Sequence, residues 1–146
     1  MRRTSPIALF ATVLVALVTL LSGCGGTDDN ADAPTELEGS WTLETLGGAK
    51  SDPAVVTQLN MNEGKASGNA GVNTFTGSYE APEDGTLTFG PLATTMMAGP
   101  DAAMQQEQAF LKALADTKTF TTEDGALVLM DADDTKLAVL TAAGNG

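Results

Sequence analysis

C-terminal to Leu37, hydrophobic and polar positions alternate with a period of two along most of the chain. In residues 40–46 (SWTLETL) Trp41, Leu43 and Thr45 fall on one face, and in the next run Val55, Thr57, Leu59 and Met61 alternate in the same way. Such alternation marks strands with one buried face. Residues 62–64 (NEG) end that run with a turn. Phe75 and Tyr79 share a face across Gly77, and residues 83–85 (EDG) signal a hairpin before Leu87 and Phe89. Near the C-terminus Asp124-Gly125 joins TFTT (119–122) to ALVLM (126–130), and the acidic turn DADD (131–134) leads into KLAVLT (136–141). Short strands separated by turn residues argue for an antiparallel meander.

One segment breaks this period. Residues 101–115 (DAAMQQEQAFLKALA) contain no glycine, proline or β-branched residue, and Met104, Phe110, Leu111 and Leu114 recur at helical spacing, with Ala103 and Glu107 a turn or two earlier. The spacing predicts one helix whose stripe packs on a sheet. Pro100 and Asp101 suit its first turn, where a missing N–H costs nothing and a carboxylate meets the positive end of the helix dipole. The pattern therefore predicts an α+β fold, mainly antiparallel β. A small curved or barrel-like sheet of about seven to nine short strands would carry one packed helix near 101–115.

The stretch SGNAGVNTFTGSY (67–79) is rich in glycine and asparagine and carries no charge. It fits neither the dinucleotide nor the P-loop template, because the G-x-G-x-x-G spacing and the Lys-Ser/Thr are missing and no helix follows. The alternation after Asn73 reads instead as a kinked or bulged strand. Gly68, Gly71 and Gly77 would permit sharp curvature or close backbone approach.

The N-terminus adds a different kind of segment. Arg2 and Arg3 precede an uncharged apolar run at 7–21, which ends in LSGC with Cys24. A basic start, a run of this length and small residues before a cut describe a secretory signal, and the run is short for a membrane-spanning helix. LSGC resembles a bacterial lipobox. That resemblance implies export, cleavage before Cys24 and acylation of Cys24, with residues 1–23 removed as the signal peptide. Residues 24–36 (CGGTDDNADAPTE) are small and acidic and read as a disordered tether. The folded domain is placed at 37–146. Gly25 after the cysteine would not retain the protein at an inner membrane, so an outer membrane is its destination where the host has one.

Charge and composition narrow the function. The mature chain keeps five lysines and all nineteen acids, a net side-chain charge of −14. Such a surface repels phosphate backbones, which argues against nucleic-acid binding, and it assigns membrane attachment to acyl chains rather than to a basic patch. There is no histidine, and Cys24 is the only cysteine. Ser-His-Asp and Cys-His catalysis and the usual zinc sites are thereby excluded. DADD fails the EF-hand pattern, since Lys136 stands where glycine is required and Ala142 where the bidentate glutamate is required, and it reads as an exposed turn. No metal site or cofactor is expected.

Four motifs occur in order: GNAGVNTFTGSYE, GTLTFGPLATTMMAG, EQAFLKAL and GALVLMD. Together they resemble the META/HslJ-like domain family over about residues 37–140. The resemblance implies a small antiparallel barrel-like sheet with one helix. It also implies kinship with a heat-inducible bacterial protein linked to novobiocin resistance and with many predicted lipoproteins, and it brings no enzyme mechanism. Asn69, Asn73, Phe75, Gly77, Tyr79, Thr95 and Met97 match the family pattern. Phe75 and Tyr79 are read as core, and Asn73 and Thr95 as satisfying turns. Relatives often carry cysteine where Val72 and Gly99 stand, and the joint absence here is what the resemblance implies if the two positions pair or act jointly. Met96 replaces a frequent arginine.

These observations point to a non-enzymatic, lipid-anchored envelope protein with a binding or stress and antibiotic-tolerance role. Its partner would be an envelope protein or a small apolar ligand. Two alternatives stand beside it. One is a carrier of a lipid or hydrophobic molecule, with Met96, Met97, Met104 and Phe110 lining a cavity. The other is an envelope hydrolase using carboxylates such as Glu80, Glu83 and Asp84, which would need one raised pKa.

Overall fold

The structure, a computed structural model, describes residues 35–82 and 85–144. The signal segment, Cys24, most of the acidic tether and the Glu83-Asp84 pair of the expected hairpin lie outside the described residues. The described chain opens with a 3₁₀ turn, Thr35–Leu37, so folded structure includes two residues that the sequence placed in the tether. Leu37 is fully buried, and its carbonyl accepts a hydrogen bond from the Trp41 indole Nε1 at 3.0 Å.

Ten antiparallel strands follow: β1 (Gly39–Leu46), β2 (Ala49–Lys50), β3 (Gln58–Asn62), β4 (Lys65–Asn69), β5 (Thr74–Glu80), β6 (Thr88–Phe89), β7 (Ala93–Thr94), β8 (Thr119–Glu123), β9 (Ala126–Met130) and β10 (Lys136–Ala142). Eight of them form a continuous path in the order β6-β5-β4-β3-β1-β10-β9-β8, while β2 pairs with β1 and β7 with β5. The path closes on itself through residues 85–87. Thr86 bridges Thr119, the Leu87 N–H donates to the Lys118 carbonyl at 3.1 Å, and the Phe120 N–H donates to the Gly85 carbonyl at 2.9 Å. Closure removes the exposed edges that an open sheet of short strands would leave. The expected barrel-like sheet with one helix is what forms.

The hairpin turns follow local chemistry. Glu63-Gly64 and Asp124-Gly125 have positive φ at both positions, as tight hairpin loops require. The strand expected to start at Val55 starts instead at Gln58. The cause lies upstream: the Asp52 side chain accepts a hydrogen bond from the Ala54 N–H at 2.9 Å, and the Val55 N–H donates to the Asp52 carbonyl, which folds this Asp-Pro segment into a turn.

The expected single bent strand at 67–79 is two strands. β4 and β5 pair in register from Lys65↔Ser78 to Asn69↔Thr74, with residues 70–73 as the loop. Gly68 faces Leu59 of β3, and a Cβ there would lie 1.9 Å from the Gln58 carbonyl oxygen. The close approach anticipated for the glycine is real, but it serves strand pairing rather than a bulge.

Helix α1 (Asp101–Asp116) packs on β1, β6, β9 and β10 and buries Ala103, Glu107, Phe110, Ala113 and Leu114. Phe110 meets Phe75 edge-on, with ring centroids 6.0 Å apart, at the centre of a core that also holds Trp41, Leu59, Met61, Leu127, Leu129 and Leu140. The helix ends at Thr117, whose buried hydroxyl donates to the Ala113 carbonyl at 2.7 Å. The first turn has no side-chain cap, and the first helical bond runs from the Met104 N–H to the Pro100 carbonyl.

Candidate functional site

The β4–β5 loop, the segment after β7 and the buried face of α1 converge on two side chains. Asn73 is 2 % exposed and Glu107 is 5 % exposed, and neither has a cationic neighbour among the hydrogen bonds they make. The Glu107 carboxylate is instead surrounded by neutral donors. Its Oε2 accepts the Val72 N–H at 2.9 Å and the Asn73 N–H at 2.6 Å, and its Oε1 accepts the Asn73 Nδ2 at 2.8 Å. Burial pushes the Glu107 carboxyl up. The bonds from the Asn73 side chain, the Asn73 backbone and the Val72 backbone push it down, and they prevail, so its pKa lies below the ordinary 4.5.

Asn73 passes the connection on. Its Nδ2 also donates to the Met97 carbonyl at 3.1 Å, and its Oδ1 accepts the Met97 N–H at 2.6 Å and the Thr95 hydroxyl at 2.9 Å. The Thr95 hydroxyl in turn accepts the Thr74 N–H at 3.1 Å. One amide side chain thus holds the backbone of Met97 from both sides. The loop itself is tight: the Ala70 N–H donates to the Asn73 carbonyl, and the Gly71 N–H donates to the Asn69 Oδ1 at 2.8 Å. One residue earlier in the helix, Gln106 secures the neighbouring loop, donating to Thr57 Oγ1 at 3.0 Å and accepting the Asp52 N–H at 2.8 Å.

Of the residues singled out in the sequence, Asn69, Asn73, Thr95 and Met97 meet here. Phe75 and Tyr79, each 3 % exposed, lie in the core, and Gly77 lies where a Cβ would be 2.8 Å from the Pro91 carbonyl oxygen. The Tyr79 hydroxyl is buried with no hydrogen-bond partner among the described residues. Burial raises its pKa and the Glu38 carboxylate adds to the rise, while the Gly64 backbone acts the other way without reaching hydrogen-bonding geometry. Cys24 lies outside the described residues.

Glu107 is the member that sequence reading placed in the helical stripe without giving it a role. The available signal was a lone carboxylate one turn before Phe110 on an otherwise apolar face. Val72 packs directly on Gly99: a Cβ at 99 would lie 2.4 Å from the Val72 Cγ2. The two positions at which relatives often carry cysteine are therefore neighbours in space.

The carrier lining expected from the sequence is not assembled. Met96 is 97 % exposed and Met97 56 % exposed, whereas Phe110 is fully buried, so the four side chains do not share a cavity. A shallow recess of about 280 Å³ lies instead against β5 and β7, lined by Thr74, Phe75, Thr76, Ala93, Thr94 and Thr95. At the turn between β9 and β10, Asp131 accepts the Asp133 and Thr135 N–H groups at 2.9 and 3.0 Å, and these backbone bonds hold its carboxyl below the ordinary range. Among the described residues, no three Cys, Asp or Glu side chains gather as metal ligands.

Comparison with known proteins agrees with this architecture. A protein from Burkholderia xenovorans solved by NMR is similar with a TM-score of 0.58 and 26 % identity, over 74 % of this chain and 83 % of the other. A DUF4847 family protein from Bacteroides vulgatus, a crystal structure, shares the fold at TM-score 0.55 and 13 % identity, over 77 % of this chain and 97 % of that one. No curated protein matches the chain. The META domain family model matches residues 35–144, from the 3₁₀ turn to the end of the described chain, and the chain belongs to that family.

Proposed function

We propose that the protein is a non-enzymatic, lipid-anchored binding protein of the cell envelope, held by acyl chains on Cys24. Its META domain recognises another envelope protein, in a stress or antibiotic-tolerance role. The observation that carries the binding reading is the use made of the polar groups in the site. Asn73, Thr95 and Glu107 saturate one another, and their joint effect is to hold residues 95–97 still while Met96 and Met97 face water. A surface fixed before contact loses little conformational freedom on association, which favours recognition.

Two further points support a role without catalysis. Among the described residues, the carboxylates whose titration the fold shifts, Glu107 and Asp131, are both held low, the wrong direction for a general acid at neutral pH. Glu107, the buried one, is fully engaged by its own chain. A small apolar ligand is the weaker partner, because the recess beside β7 is shallow and lined mainly by threonines. For the anchor, the support is the LSGC sequence ending in Cys24. The acidic net charge supports attachment through acyl chains and disfavours nucleic-acid partners.

Two measurements test this reading. Cells fed an alkyne fatty acid should label the wild-type protein and not Cys24→Ala; equal labelling ends the anchor. A photocrosslinking amino acid at position 96 should give an envelope-protein adduct that the same group at Lys136 does not. Identical adducts at both positions would remove the 95–97 surface as the binding face.

A further inference from the structure

We propose that Met96 and Met97 form a reversible oxidation site, at which the domain reduces peroxides without losing its fold. The inference goes beyond the binding role and rests on a separate contrast among the methionines. Met61 is 1 % exposed inside the barrel, and Met104 and Met130 are half-buried, whereas Met96 is 97 % and Met97 56 % exposed.

Exposure of two adjacent thioethers is unusual, because apolar side chains gain free energy by leaving water. Here it is built into the backbone. The Thr95 N–H donates to the Thr74 carbonyl at 3.0 Å, the Met97 N–H and carbonyl are both bound to Asn73, and Gly99 is packed on Val72. The segment is held at three successive points, and none of these contacts uses a methionine side chain.

The chemistry is a two-electron oxygen transfer. A sulfur lone pair attacks one peroxide oxygen, the O–O bond breaks as the S–O bond forms, and the proton on the attacked oxygen moves to the leaving one. The thioether is oxidised to a sulfoxide, and the peroxide is reduced to water or, for an organic hydroperoxide, to an alcohol and no other product. Thiol-dependent methionine sulfoxide reductases reverse the change. A sulfoxide is polar and would disrupt a core, but at position 96 the side chain packs against almost nothing, so the product leaves the barrel intact.

The test is titration of the full chain with hydrogen peroxide, followed by site-resolved peptide mass spectrometry and thermal melting. Met96 should oxidise first, within about threefold of the rate of free methionine, then Met97, with Met61 at least about tenfold slower. The melting midpoint should stay within about 2 °C when both surface sulfurs are oxidised, since little packing is lost. Reductases of both stereospecificities should remove both oxygens. The variant Met96→Leu/Met97→Leu should lose the fast phase of peroxide consumption. Oxidation of Met61, Met104 or Met130 as fast as Met96, a larger fall in the midpoint, sulfoxides that resist the reductases, or a fast phase that survives in the double variant would each overturn the proposal.

Discussion

At the scale of single residues, the energetics turn on a negative charge that has no positive partner. Glu107 is 5 % exposed and is compensated by three N–H donors from Val72 and Asn73. A buried carboxylate is tolerated when its lone pairs are filled, and removal of one acceptor exposes its donors to the full cost of desolvation. Glu107→Gln places an NH₂ group where either the oxygen facing the Val72 and Asn73 N–H groups or the oxygen facing the Asn73 Nδ2 stood, so the variant should lose about 1–3 kcal/mol, read by urea unfolding. The loss should depend on pH. Because the folded-state pKa is depressed, the stabilisation is present above the unfolded value near 4.5 and disappears as pH falls through the lower folded value. The gap between wild type and variant should be full at pH 7 and shrink below about pH 4.5; a gap that stays constant down to pH 3 would show that the charge is not what stabilises the loop. Tyr79 makes the opposite case. Its hydroxyl is buried without a partner, so Tyr79→Phe removes a desolvation cost and no hydrogen bond. The expected result is unchanged or higher stability, by up to about 1 kcal/mol, where a bonded buried tyrosine would lose a similar amount.

At the scale of elements, the site is the meeting of a hairpin loop, a segment after an edge strand and a helix, and Val72 against Gly99 is its tightest point. A Cβ on Gly99 would lie 3.2 Å from the Cβ of Val72, slightly inside the 3.5–4.5 Å span of disulfide-linked Cβ pairs. Val72→Cys/Gly99→Cys should therefore oxidise to a disulfide in air, closing a loop that joins the β4–β5 turn to the approach to α1. The midpoint should rise by several degrees over that of the reduced form, as loss of unfolded-state entropy predicts. Two free thiols in the folded, air-exposed double variant would show that the positions are farther apart than the structure has them. Gly99→Ala alone, with its Cβ 2.4 Å from the Val72 Cγ2, should instead destabilise, and Val72→Ala should relieve it in the double variant.

What the sequence made legible follows from the same elements. The strands around Leu43, Leu59, Phe75 and Leu127–Leu129, and the helix, carry large apolar residues at a clear period, and each forms close to where that period places it. β4 was not separable from β5 because its inward positions are Ala66 and Gly68, small residues that leave no apolar alternation to read. At Gly68 the reason is space, since that position is squeezed between the Gln58 backbone and the Phe75 ring. Glu107 was visible only as a polar residue on an apolar stripe. Its partners are mostly backbone N–H groups more than thirty residues away, and a backbone donor has no residue-type signature. Asn73 and Thr95 were readable as turn-satisfying residues, and they do satisfy turns, but the same bonds also fix the methionines that face water.

At the scale of the whole molecule, a small closed barrel has to hold together against its own charge. The sequence has nineteen acids against seven basic residues, and among the described residues one salt bridge forms, the exposed helical pair Lys112–Asp116. Most carboxylates therefore repel one another across the surface, over a range of about 10 Å at 0.1 M salt. Raising sodium chloride from about 20 mM to about 500 mM shortens that range to roughly 4 Å and should lift the melting midpoint by a few degrees, a relief on the order of 1 kcal/mol. Hydrophobic strengthening by salt could give the same sign, so the discriminating variant reduces charge without touching the core. The turn at 131–134 offers it. Asp131 must stay, because it accepts the Asp133 and Thr135 N–H groups, while Asp133 and Asp134 are exposed and make no side-chain bond that holds the turn. Asp134 has φ +59°, a conformation that asparagine tolerates. Asp133→Asn/Asp134→Asn should raise the midpoint at low salt, and the gain should fade at high salt, because screening and neutralisation relieve the same repulsion. A gain that persists at 500 mM would locate the effect in the turn itself, and no gain at low salt would mean that acidity does not limit the stability of this barrel.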